Sequence, residues 1–118
     1  MARVDVSEGW TASGSMRGTQ ITLNRFLREW GMCVVGEQPG EVHAHQGRWP
    51  ARVLGPRLSP AGWLPARAVV RFESGDGGVA VRATIGEASP ADDLSPGAEA
   101  KYRDYFVRWM AALKARPR

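Results

Sequence analysis

SPGAEAKYRDYFVRWMAALKARPR, residues 95–118, is a helix that cannot stay in water alone. Tyr102, Phe106, Trp109 and Leu113 recur at three- and four-residue spacing and fall on one helical face. Ser95 followed by Pro96 predicts an N-cap and a first helical position, because Pro lacks the N–H that a helix start leaves unpaired. Glu99 near the start and Lys114 and Arg116 near the end match the helix dipole. Asp104 and Arg108 stand one turn apart on the polar face as an ion pair. Burying the four anchors is worth roughly 6–12 kcal/mol gross, at ~1.5–3 kcal/mol each, most of it offset by ordering entropy. So one-sided a helix has to close over a second layer, and the alternating segments before it supply one.

Working back toward the start, the clearest of those segments form a hairpin. Residues 64–73 and 79–86 flank Ser74-Gly75-Asp76-Gly77-Gly78. Pairing Phe72 with Val79 sets Val70 against Val81, Ala68 against Ala83 and Ala66 against Ile85, with all apolar pairs on one face. Residues 32–37 and 41–46 flank Gln38-Pro39-Gly40, a Pro-Gly turn. If Glu37 pairs with Val42, then Val35 opposes Ala44, and Cys33, Val35, Val42 and Ala44 face the core while His43 and His45 face away. Residues 48–54 read as a further strand with Trp49, Ala51 and Val53 on one face and Pro50 interrupting its ladder. Residues 55–63 read as a long loop. Leu23, Phe26, Leu27 and Trp30 recur as a helical stripe, with Gly18 and Thr19 as breaker and N-cap and Gly31 as the stop. At the start, Ala2, Val4, Val6, Trp10 and Ala12 share even parity, as in a strand buried on one face, with a bulge expected at Gly9.

The order is therefore strand, helix, four or five strands, helix. One antiparallel sheet of five to six strands with both helices on one face satisfies every apolar stripe. The fold class is α+β, in a single domain spanning 1–118. This order resembles the helix-grip and TATA-binding-protein-like layouts. The resemblance is one of architecture and implies a fold, since no motif in the chain carries a family signature and such folds host unrelated functions.

Composition narrows the function classes. No run approaches the ~18 apolar residues of a membrane span, and Met1-Ala2-Arg3-Val4-Asp5 opens without the apolar core of a secretory signal. Cys33 is the single cysteine, so no internal disulfide can form. A cytoplasmic, soluble protein is the expectation. Lys and Arg number 16 against 12 Asp and Glu, a balance of +4 that permits attraction to anions without demanding it.

Four groups of residues carry chemistry. His43 and His45 sit two apart on one side of a strand, a spacing that metal sites use, and Glu41 shares their parity. The core parity of Cys33 denies them a thiolate, so no metal or other cofactor is assigned and solvent-facing histidines explain the pair as well. Arg67, Arg71 and Arg82 lie on the non-core face of the hairpin, and with His43 and His45 they make a cationic surface fit for phosphate or carboxylate. Nucleic acid is disfavoured, because sheet readers add aromatic platforms and the aromatics here mostly have core parity. Five Trp make the third group. Trp10, Trp49, Trp63 and Trp109 either line an apolar cavity between helix and sheet or fill the core. Cys33, inward beside Val34 and Val35, reads as an inert buried thiol.

There is no phosphate-binding glycine loop, no dinucleotide fingerprint and no nucleophile elbow. The expected function is a non-catalytic binding or interaction module, working through an apolar pocket or the open sheet face, with a small apolar ligand, a protein partner or a second copy in a homodimer as its counterpart. The alternatives are a cavity-based isomerase, cyclase or lyase, for which Glu8 and Glu37 come closest to an inward acid, and an anion or nucleic-acid binder using the arginines.

Overall fold

The computed structural model describes residues 4–47, 65–88 and 96–116. Seven elements follow in order: β1 (Asp5–Ala12), α1 (Met16–Glu29), β2 (Cys33–Gln38), β3 (Glu41–Gln46), β4 (Ala66–Gly75), β5 (Gly78–Glu87) and α2 (Pro96–Lys114). The strands form one five-stranded sheet in the order β1-β5-β4-β3-β2, antiparallel at every pairing. The α+β class and the single antiparallel sheet are as expected. The expected strand at 48–54, the loop at 55–63, Trp49, Trp63 and the Ser95 cap lie outside the described residues. Among the described residues no helix is long and apolar enough to cross a membrane.

Both helices cover the same face. α1 packs over β2 and β4, and α2 over β1 and β5. Leu23, Phe26 and Leu27 of α1 join Tyr102, Phe106, Trp109 and Leu113 of α2 in one cluster with Val42, Ala44, Val70, Val81 and Ile85 of the sheet. The helices meet through their rings: Phe26 lies 5.5 Å from Trp109 edge-on, and Trp30 lies 5.5 Å from Tyr105. Such tilted contacts set the edge of one ring against the face of the next. The expected Asp104–Arg108 pair forms on the outer face of α2 at 2.7 Å.

Several local expectations are corrected. α1 starts before Thr19, because Ser15 serves as its N-cap and Ser15 Oγ accepts from the Gly18 N–H at 3.0 Å. Thr19 lies within the first turns and its hydroxyl donates to the Ser15 carbonyl at 2.9 Å. Gly9 holds regular register opposite Arg82, so β1 carries no bulge there.

The β4–β5 hairpin is offset by two residues from the expected pairing. Phe72 faces Val81, Val70 faces Ala83, Ala68 faces Ile85 and Ala66 faces Glu87. The glycines explain the shift. Gly75 and Gly78 stay in the ladder as a pair, so the turn shrinks to Asp76-Gly77 and the strands gain paired residues. A two-residue offset keeps every side chain on its own face, which is why the core list survives it.

The larger correction is in β2. The ladder runs Gln38–Glu41, Glu37–Val42 and Gly36–His43, and then shifts so that Val34 faces Ala44 and Cys33 faces His45. Val35 is the extra residue of a bulge, and it does not oppose Ala44. Everything N-terminal to a bulge changes face. Cys33 is accordingly exposed on the open side and is not a buried thiol. Val34 and Val35 are 40% and 58% exposed, in keeping with a strand at the sheet edge.

The only two tyrosines of the chain fasten α2 to the sheet end. Tyr102 donates to the Pro65 carbonyl at 3.0 Å and Tyr105 to Gln46 Oε1 at 2.9 Å. Burial pushes both phenols above their ordinary range, and nearby Glu87 adds to the effect at Tyr102. A phenol whose folded pKa is raised contributes stability below its unfolded value near 10, and loses it as pH rises through the folded value. Tyrosinate absorbance at 295 nm should therefore stay flat as pH passes 10 and rise only together with the loss of helical circular dichroism. A rise that precedes unfolding would contradict the burial of these hydroxyls.

Candidate functional site

Two surfaces gather the chemistry-bearing residues, one on each side of the sheet. On the open side, alternation along β3, β4 and β5 brings all five cationic candidates to one face. His45 stands opposite Arg67 and His43 opposite Val69, while Arg71 stands opposite Arg82. Glu41 lies among them. Its carboxylate accepts from Arg71 Nε at 2.5 Å and lies 2.8 Å from His43 Nε2. These bonds, Arg71 first and His43 second, hold the Glu41 carboxyl below the usual range. Arg67, Arg71 and Arg82 are exposed. Ser7 and Thr84 join β1 and β5 through their hydroxyls at 2.9 Å.

This face therefore carries a carboxylate already paired with two of its cationic candidates, and the Phe, Tyr and Trp rings of the described residues lie on the other side of the sheet. Stacking platforms for bases are absent among the described residues. Nor do three or more His, Cys, Asp or Glu of the described residues come together as metal ligands.

The helix side holds a cavity of about 330 Å3. It opens where the end of β1 and the turn after it meet the first half of α1 and the last turn of α2. Its apolar wall is Trp10, Leu23, Val70, Val81 and Leu113, drawn from three strands and both helices. Its polar wall is Thr11, Ser13, Thr19 and Thr22, with Lys114 and Arg116 at the α2 end. Period-two alternation places Trp10, Val70 and Val81 on the inner face. Leu23 and Leu113 belong to helical stripes that point at the same space.

Ion pairs frame the cavity and tie α2 to its neighbours. Lys114 Nζ donates to Glu8 Oε1 of β1 at 2.8 Å, and Arg116 bonds the Glu29 carboxylate of α1. The Arg116 bond holds the Glu29 carboxyl below the usual range. The Arg116 guanidinium also lies over the Phe26 ring, 5.9 Å from its centre. The last turn of α2 is thus clamped from both sides of the opening.

Trp10 stands on the cavity wall. Trp109 is fully buried against Phe26 and is not part of that wall. Glu8 and Glu37, the two inward acids, occupy opposite edge strands and face the helices. Glu8 takes Lys114, and Glu37 accepts from Gln20 and, at 3.5 Å, from Asn24 of α1. Both bind the helices to the sheet edges, and neither lines the cavity.

Lys114 and Arg116 escaped sequence reasoning as site residues. Their position at a helix C-terminus had a sufficient explanation in the dipole. Thr19 and Thr22 carried no periodic signal at all. Compared with known protein families and with curated proteins, the chain matches none.

Proposed function

We propose that this protein is a non-catalytic binding module that holds a small, largely apolar molecule between its helices and its sheet. The observation that carries the reading is the cavity itself. Its volume of about 330 Å3 falls in the range of roughly 300–1,000 Å3 usual for ligand sites. Its lining joins apolar side chains from sheet and helices to hydroxyls and two cations.

The wall favours binding over catalysis. Among the described residues it carries hydroxyls and two cations, with no carboxylate, imidazole or thiol. Of these, Lys114 is the group suited to general acid–base work, and it is held in an ion pair with Glu8. The reading also suits a cytoplasmic protein, since one cysteine leaves no internal disulfide to maintain.

The test is titration with a neutral apolar dye, N-phenyl-1-naphthylamine. Saturable fluorescence enhancement with one dye per chain is expected, with quenching of tryptophan emission that is smaller in Trp10→Phe. Val81→Phe fills the cavity and should weaken the dye at least about tenfold, since a ring added to the wall removes the space of the ligand. Binding that is unsaturable, or that is equally strong in Val81→Phe, would refute the reading.

A further inference from the structure

The cavity combines an apolar wall with two cationic side chains, and this combination points to a class of ligand. We infer that it takes a single-chain amphipathic anion, an aliphatic tail ending in a carboxylate, with the head at Lys114 and Arg116. The inference rests on the reading of the cavity as a ligand site.

Three observations carry it. Lys114 and Arg116 are the ionised side chains on the wall among the described residues, and both are positive. Their partners Glu8 and Glu29 stand off the wall. The charged groups that the wall itself presents are therefore positive, each of them paired with a carboxylate outside the lining.

The Lys114–Glu8 pair is a weak competitor. Its side chains are 42% and 41% exposed, and ion pairs so close to water contribute little. In the other pair Glu29 is 51% exposed and Arg116 25%. A ligand carboxylate can share Lys114 with Glu8, or accept from the guanidinium N–H groups of Arg116 that Glu29 leaves unused. Thr19 and Thr22 add hydroxyls to the wall. Trp10, Val70, Val81 and Leu113 offer apolar contacts, which suit an unbranched tail. A volume of about 330 Å3 is enough for one such chain.

The experiment compares decanoate, decanol and decylammonium by calorimetry with the full chain. Decanoate should bind about tenfold more tightly than decanol, and decylammonium more weakly than either. Lys114→Met and Arg116→Met should each weaken decanoate by about tenfold and leave decanol within about twofold, which also shows that the variants are folded. Glu8→Gln should tighten decanoate by releasing Lys114, a response that a merely structural Lys114 would not produce.

Equal binding of decanoate and decanol with no response to these variants would overturn the anion preference while leaving the cavity as a ligand site. So would decylammonium binding most tightly. Failure of all three to bind would remove the cavity reading together with the inference.

Discussion

Trp109→Ala should lower the stability of the fold by about 3–5 kcal/mol. Domains of this size are stable by only about 5–15 kcal/mol, so the melting temperature should fall by roughly 10–25 °C. Trp109 is fully buried at the meeting point of the helices, edge-on to Phe26. Truncation leaves a void bordered by both helices, which cannot collapse without pulling α2 off the sheet. Trp109→Phe should cost much less. Trp109 Nε1 is buried without a hydrogen-bond partner among the described residues, and an unpaired buried N–H already costs about 1–3 kcal/mol. Phe keeps a ring against Phe26 and removes that donor. Chemical denaturation of the two variants checks the contrast, and equal losses would mean that the ring is not what joins the helices.

Gly78→Ala should be the most damaging change on the sheet side. Gly78 has φ of +146°, a region where L side chains are strained, and an added Cβ would run into the Ala12 carbonyl oxygen. Strain and backbone displacement together should cost about 2–4 kcal/mol. Its neighbours serve as controls. Gly77 has φ of +87° with open space around it, so Gly77→Ala should pay for strain alone, about 1–2 kcal/mol. Gly75 lies in open space without positive φ, and Gly75→Ala should change stability by less than about 1 kcal/mol. The predicted order of loss is Gly75, Gly77, Gly78. Because Ala12 and Ser13 border the cavity, Gly78→Ala should also weaken dye binding, whereas Gly75→Ala should not. A Gly78→Ala protein as stable as Gly75→Ala would show that β1 does not approach the hairpin turn this closely.

Both predictions concern places where a local pattern meets a distant element, and that is where sequence reading succeeded unevenly. The stripes of α1 and α2 were legible because a helix repeats every 3.6 residues and cannot hide an apolar face. The open-face positions of Arg67, Arg71 and Arg82 were legible for a similar reason, since strand parity has only two answers. The same two-fold rule protected the β4–β5 core list from a wrong register, the error being an even number of residues. In β2 it failed. One inserted residue at Val35 reversed the side of Cys33, and Gly36 beside it was as weak a bulge signal as Gly9, where the register stays regular.

The candidate site was legible in part. Trp10 was named for a pocket, while Lys114 and Arg116 were read only as helix-end charges. Their position at a cavity depends on where α2 stops relative to β1 and α1, a distance that no residue-to-residue spacing contains.

By itself the sequence determined the helices and strands of the described residues, the inner and outer faces of all of them but β2, and the need for one sheet with both helices against the same side. Those are consequences of short-range periodicity and of the cost of exposing apolar surface. The tertiary structure alone decided the strand order, the bulge at Val35, the space left between α1, α2 and β1, and the two cations at its opening. Each of these depends on how residues far apart in the chain come to rest together, and packing, unlike periodicity, has no signature in any one segment.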